Sequence, residues 1–437
     1  MLIAGAASCQ QTAPSPPDRQ APPAETTSAQ ATPATPITPV TGAELPELPA
    51  GVFLQSATTA TDLQRAAISS KLGGTITALT NSHLTVQGSP IQVNLIQTAD
   101  DQAADAVYRS MLGIKPEPFC LRRDLTIIEY VGSQIDHALA IKTSYELGFL
   151  PKPSRLRYRV TARLATIQTA DYMACNPLFN QFLADAAGPM GSAEQEIRKL
   201  AAGFTFSKSL SLRATALAPS TTRYAFEPPG THQQQSDDDH QLAVSFPETS
   251  QRHGVPFVSV TIEVTVDSTG LARSTSAPGP ECTRPTALWP SGSTDISSLA
   301  HRITRGKSTR KQKALAILAW LAPGKNIRYS GSTGSRWGTL KVLHQKSGHC
   351  WDFSDCFVTL CRAVGVPARQ VGGWLYGSSG HIWAEYFTDE DRWQQVDPTA
   401  GGLVACGIYH IPYFTSEDGE MPIVYLAMPT IEVIAEN

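Results

Sequence analysis

Gly348-His-Cys-Trp-Asp-Phe-Ser-Asp-Cys-Phe-Val-Thr-Leu-Cys-Arg-Ala-Val-Gly-Val-Pro367 decides how the last third of this chain folds. Phe353, Phe357, Leu360 and Val364 recur at the spacing of one helical face, so the segment is expected to be a helix with that face buried. Gly365 suits the left-handed residue that closes a helix, and Pro367 cannot continue one. Counting back, the helix begins close to Cys350. A thiol at that position meets the positive end of the helix dipole and backbone N–H groups without intrahelical partners, and both favour the thiolate. The same N–H groups can hold an oxyanion forming beside the sulfur. Such a cysteine becomes a nucleophile only with a base beside it.

The base is expected one hairpin further on. His381-Ile-Trp-Ala-Glu-Tyr-Phe387 and Arg392-Trp-Gln-Gln-Val-Asp397 flank the turn Thr388–Asp391. Side chains of an antiparallel pair share a face when their numbers keep the parity of the opposed residues. A turn centred on Asp389 puts His381 and Asp397 on one face, directly opposed or one diagonal step apart. Asp397 can then accept from one imidazole nitrogen and leave the other for Cys350.

The blocks Gly348-x-Cys350-Trp-Asp-Phe353, Arg362-Ala-Val-Gly-Val-Pro-Ala-Arg369, His381-x-Trp-Ala-Glu385 and Val396-Asp-Pro-Thr399 resemble the transglutaminase-like superfamily in order and spacing. The resemblance covers about 140 residues. It implies a papain-like α+β core, a cysteine-bearing helix on an antiparallel sheet, in which Cys350 is nucleophile, His381 is base and then acid, and Asp397 orients the histidine. It also implies weaker candidates for oxyanion donors, Trp337 and Gln345, and no calcium-site motif maps onto this chain, so no metal and no cofactor is expected. The implied chemistry is a thioester formed from a peptide, isopeptide or glutamine amide, with hydrolysis favoured over amine transfer. Three alternatives stay open: a cross-linking protein-glutamine amine transferase, a non-catalytic surface binding module, and a metal site built from Cys350, His381 and Asp397.

Upstream, Ile91–Ile96, Leu125–Val131 and Arg157–Ile167 read as strands. Ala104, Val107, Tyr108, Met111 and Leu112 form a helical stripe stopped by Gly113 and Pro116, and Leu178, Phe182, Leu183 and Ala186 form another. Phe257–Val266 alternates as a half-buried strand, and the polar run Gln233–His240 reads as a solvated loop. Thr309 and Gln312 stand at capping-box spacing before Ala314, Leu315, Leu318 and Leu321. These patterns divide the chain into an α+β domain of unknown function over 51–190, a β-rich linking region over 191–297 and the Cys350-bearing domain over 298–437.

Composition bounds the rest. At 437 residues, 41% hydrophobic and 17% charged, the chain is globular and long enough for more than one core. A net charge of −3 offers no basic footprint for nucleic acid. No apolar run approaches the roughly 20 residues that span a bilayer. Met1–Ser8 ends in small residues before Cys9 and resembles a truncated lipoprotein signal over 1–9, with Cys9 as the lipidation site. Residues 10–50 hold ten prolines among Ala, Thr, Ser and Gln, the composition of an extended tether. Export to the cell envelope, with a lipid anchor as the only membrane contact and a protein or peptide as substrate, is the expectation. Of eight cysteines, Cys356 and Cys361 read as core residues, and Cys120, Cys175, Cys282 and Cys406 as disulfide candidates.

Overall fold

A computed structural model describes residues 48, 52–86, 89–131, 136–167, strands between 206 and 252, 255–269, 277–330, 336–377, 380–400, 406–420, 423–425 and 429–436. Seven α-helices and mainly antiparallel sheets among these residues make the fold α+β. Residues 1–47 lie outside the description, and with them Cys9 and most of the proline-rich stretch; so does the Leu178–Ala186 stripe.

The upstream alternation builds one sheet from β1 (Val52–Thr59), β2 (Ile76–Val86), β3 (Ser89–Thr98), β4 (Cys120–Arg123) and β5 (Thr126–Tyr130), ordered β1-β2-β3-β5-β4. Its two faces bury separate clusters. Leu79, Ile96 and Ile127 pack with Leu72 of α1 (Asp62–Leu72) and with Val107 and Met111 of α2 (Asp101–Leu112). Leu84, Val93 and Ile128 pack with Ala140 of α3 (His137–Glu146). Asp100 caps α2 by accepting from the Ala103 amide at 2.8 Å, which places the expected stripe on the sheet. Nothing in the sequence marks α3, because its buried residues include Lys142, Thr143, Ser144 and Glu146.

A second sheet centres on β6 (Arg155–Ile167) and β7 (Val255–Asp267), paired antiparallel from Val258↔Leu164 to Asp267↔Arg155. Val258, Val260, Ile262 and Val264 are buried on one face of β7, as the alternation requires. The chain returns to this sheet at its end, where Ile423–Tyr425 and Thr430–Glu436 both pair with β6. The Gln233–His240 run is partly corrected: His232–Gln235 is a strand paired with Gln241–Ser245.

The C-terminal region surrounds the decisive helix. α4 (Thr294–Ile303), α5 (Arg310–Leu321) and α6 (Thr339–Gln345) pack against α7 (Cys350–Ala363), which lies on a sheet of β8 (Ala368–Leu375), β9 (Gly380–Phe387), β10 (Trp393–Val396) and β11 (His410–Ser416), ordered β10-β9-β8-β11. Thr309 caps α5 by accepting from the Gln312 amide at 3.1 Å. The Gln312 side chain reaches back one residue further than the box requires, to the Ser308 amide. α7 ends as its glycine predicts: Gly365 has φ +75°, its N–H donates to Arg362 O, and Val366 N–H donates to Cys361 O.

Every residue of α7 from Cys350 to Arg362 is buried, so its polar side chains need partners. Asp355 receives Trp289 Nε1 at 2.8 Å, Gln370 Nε2 at 2.7 Å and the Arg336 guanidinium. Arg362 donates to the carbonyls of Ala368, Arg284 and Glu417. Cys356 and Cys361 are core residues, as expected. Of the cysteines read from sequence as disulfide candidates, Cys120, Cys282 and Cys406 are instead buried free thiols among apolar neighbours, and Cys175 lies outside the described residues.

Candidate active site

α7 starts at Cys350, with His349 as its N-cap residue. Asp352 fixes that start, accepting from the His349 amide at 3.0 Å through Oδ2 and from the Trp337 amide at 2.6 Å through Oδ1. A short parallel pair, Arg328–Tyr329 with Ser347–Gly348, holds the preceding turn and sets the Tyr329 ring 5.1 Å from the His349 ring.

β9 and β10 pair as Ala384↔Val396 through Phe387↔Trp393. That register places Asp397 one diagonal step from His381, within the range the parity argument allowed and one residue from the turn centre it assumed. His381 Nε2 lies 2.8 Å from Asp397 Oδ2. The second ring nitrogen is left for Cys350, and the charges of His381 and Cys350 act on each other. Cys350, His381 and Asp397 are only 4%, 8% and 1% exposed, so their charges interact with little water between them.

Burial alone would raise the Cys350 thiol, but His349 and His381 together bring it down to about 5. Cys356, Cys361 and Cys406 are raised instead, and burial pushes Cys120 and Cys282 up to about 12. For His381, burial opposes charging, yet Asp397 and the sulfur raise it to about 10. Asp397 is held well below the carboxylate range: burial disfavours its charge, and the two imidazoles outweigh that. These directions favour thiolate, imidazolium and carboxylate over the neutral forms.

Four residues that the sequence did not single out belong to this cluster. His349 Nδ1 stands 3.2 Å from Cys350 Sγ. Thr399 holds Asp397 Oδ1 through its amide at 2.9 Å and its hydroxyl at 2.7 Å, the i to i+2 turn that Asp-Pro-Thr could have announced. His410 Nε2 lies 3.1 Å from Asp397 Oδ2 and comes from β11, with no local signal. Lys142 of α3 is fully buried and interacts with the charges of Glu146 and Asp397, while burial lowers its ammonium to about 7. Beside it Tyr409 Oη donates to Glu146 Oε1 at 2.7 Å and Lys152 Nζ lies 2.6 Å from the same oxygen. The upstream helix α3 thus abuts the cluster.

Of the oxyanion candidates, Trp337 packs half-buried against the α7 core with its amide on Asp352. Gln345 donates its side-chain amide to Ser347 O at 2.8 Å. His381, Asp397 and His410 offer ligand atoms within 4.8 Å of one another. Ligands on a tetrahedral zinc stand roughly 3.3 Å apart, at about 2.0–2.1 Å from the ion. Contacts of 2.8 and 3.1 Å are hydrogen bonds already closed, and it is His410 rather than Cys350 that joins this group. Beside the cluster a cavity of about 510 Å³ is walled by Phe53, Leu54 and Gln55 of β1, with Thr85, Pro323, Tyr329 and Thr399.

Residues 297–398 match the model of the transglutaminase-like superfamily, so this part of the chain is a transglutaminase-like domain. An uncharacterized protein of Mycobacterium leprae is 30% identical over 130 residues, 27% of this chain and 45% of that one. The peptide-N(4)-(N-acetyl-beta-glucosaminyl)asparagine amidase of Gallus gallus is 39% identical over 59 residues, 13% of this chain and 8% of that one. The chain therefore spans less than half the length of either relative. Among solved structures, a Cytophaga hutchinsonii protein proposed to be a cysteine protease overlaps 65% of this chain and 91% of its own, at 14% identity and a TM-score of 0.38. Red sea bream transglutaminase overlaps 46% of this chain and 48% of its own, at 14% identity and a TM-score of 0.23.

Proposed function

We propose that this protein is a cysteine amidase-type enzyme that opens an amide bond of a polypeptide through a thioester on Cys350. The observation that carries the proposal is the convergence of three buried side chains: a helix-start thiol, an imidazole whose charge lowers it, and a carboxylate 2.8 Å from one nitrogen of that imidazole. The Cys350 thiolate attacks the amide carbonyl, and the His381 imidazolium gives its proton to the departing amine. A water then loses a proton to His381 and attacks the thioester, and the thiolate leaves. Asp397 keeps the imidazole in one tautomer and stabilises its charged form. The developing oxyanion falls to the N–H groups that open α7, with the Trp337 indole as an additional candidate; Gln345, already engaged with Ser347, is the weaker one.

The relative named as an amidase fits amide chemistry, and a cavity of about 510 Å³ can take part of a polypeptide. Among the described residues its walls carry no charged side chain, and β1 supplies three of them, so the upstream sheet is assigned a part in placing the substrate. Hydrolysis is favoured over amine transfer, because a transferase must outcompete water at about 55 M by positioning an amine, and no amine-binding group stands beside the cavity among the described residues. The deciding experiment offers a glutamine-containing protein pool and a labelled primary amine. Cleavage or ammonia release that needs Cys350 and ignores the amine supports hydrolysis; Cys350-dependent amine incorporation, with neither cleavage nor ammonia release when the amine is left out, overturns it in favour of cross-linking.

The proposed setting is the cell envelope, with Cys9 lipidated and residues 10–50 as the tether. Expression in a bacterium, with any upstream native sequence included, would place the protein in the membrane fraction and shift it out on Cys9→Ala. Equal soluble amounts of both would refute the anchor.

A further inference from the structure

Cys350 has two imidazole neighbours, and the proposed reaction uses only one of them. His381, on β9 and already bonded to Asp397, acts on the sulfur through its charge. His349 reaches it from the residue immediately before, Nδ1 to Sγ at 3.2 Å. This second ring is held in place independently of β9. Its backbone amide is bonded to Asp352 Oδ2 at 3.0 Å, and its ring lies against Tyr329 at 5.1 Å with 37° between the planes.

We propose that His349 is a second proton acceptor for the nucleophile, able to hold Cys350 as a thiolate without His381. The inference rests on the proposed role of Cys350. In the step itself the S–H bond breaks and an N–H bond forms at His349 Nδ1, giving thiolate and imidazolium with no other reactant. The consequence is a division of labour. His381 can give its proton to the leaving amine while His349 still faces the sulfur, so the thiolate lost in acylation is restored on deacylation beside a positive group.

The charged and titratable groups around the pair are few. Asp352 of α7, Tyr329 and His381 interact with Cys350 or His349, and Asp397 acts on the site through His381. Burial works against a charged His349, but the Cys350 sulfur outweighs it and raises the imidazole; His381 opposes that rise and Asp352 adds to it. An imidazolium is thus available at His349 when the sulfur is ionised.

The test is the pH dependence of Cys350 alkylation by iodoacetamide in the full chain, read by mass spectrometry of the peptide holding Cys350. His349→Asn keeps a residue type suited to the helix N-cap, so the start of α7 survives. In wild type the rate should follow a group titrating near 5. In His349→Asn the midpoint should rise by at least one pH unit, and in His381→Asn it should stay at least one unit below the free-thiol value of about 8.5. The double variant should titrate at or above the free-thiol value, because burial alone raises the thiol. A His349→Asn midpoint equal to wild type, or a His381→Asn midpoint at the free-thiol value, overturns the role of His349 and leaves the proposed function standing. A wild-type midpoint at the free-thiol value overturns both. Far-ultraviolet circular dichroism and the melting temperature of each variant separate these outcomes from misfolding, and His349→Gln provides a second neutral variant if the first unfolds.

Discussion

Asp397→Asn removes a charge while keeping the shape of the side chain, and its effect on His381 can be worked out from the site. Asp397 Oδ2 lies 2.8 Å from His381 Nε2 and is the main influence that raises this imidazole to about 10 against the opposing effect of burial. Without the charge, His381 should return toward the ordinary imidazole value of about 6.5, a fall of up to about 3.5 pH units and at most roughly 5 kcal/mol of lost imidazolium stabilisation. Loss of one partner of a buried charged pair commonly costs about 3–5 kcal/mol, which agrees. The kinetic consequence depends on pH. At pH 8 the imidazolium fraction would drop about 30-fold, whereas at pH 6 it would drop less than about twofold, from an ordinary imidazole value of about 6.5. Any deficit that remains at pH 6 then measures lost orientation of the ring. The assay is an NMR titration of the His381 ring, identified by its absence in His381→Asn, run beside ammonia release from a glutamine-containing polypeptide. A His381 midpoint above about 9 in Asp397→Asn would refute the electrostatic role assigned to Asp397.

Lys142→Met should stabilise the protein most at low pH. Burial lowers the wild-type ammonium from its ordinary 10.5 to about 7, so between these values the unfolded chain binds more protons and wild-type stability rises with pH. The gain from methionine, at most about 4–5 kcal/mol below pH 7, should therefore shrink as pH climbs toward 10 in urea unfolding curves; a gain that grows with pH would contradict the assignment. Gly373→Ala would set a Cβ 2.2 Å from Ile411 O and 2.5 Å from the Trp383 ring, and should lower unfolding stability by about 1–3 kcal/mol or more; no change in melting temperature would show that β8 and β11 yield there easily. Leu54, 44% exposed on the cavity wall, should become unfavourable for polypeptide when changed to Asp, raising KM at least severalfold with a small ester unaffected; an unchanged KM would remove β1 from substrate binding.

Which parts were legible in the sequence follows from the range of the interactions that made them. α7 was readable because its periodicity, its glycine stop and its cysteine start are all local. The His381–Asp397 pair was readable because a hairpin turns sequence parity into a shared face. Thr399 was equally local, two residues from Asp397, and only the Asx-type turn went unread. His410 and Lys142 could not be read: one arrives from a strand beyond the hairpin and the other from a helix more than 200 residues upstream. α3 shows the limit most clearly, since a helix that buries Lys142, Thr143, Ser144 and Glu146 against another polar cluster has no apolar stripe to announce it. The cysteines erred in the opposite direction, because an envelope setting suggested disulfides where Cys120, Cys282 and Cys406 fill core space.

Acyl transfer from p-nitrophenyl acetate tests the nucleophile without knowledge of the natural substrate, since the small ester needs neither the cavity nor protonation of its leaving group. The full chain should release p-nitrophenol in a burst stoichiometric with enzyme, and acid-quenched protein should carry one acetyl group, labile to hydroxylamine, on Cys350. Cys350→Ala should show neither. Release at the same rate from Cys350→Ala, or an acetyl group found on another residue, would contradict the assignment of Cys350 as the nucleophile.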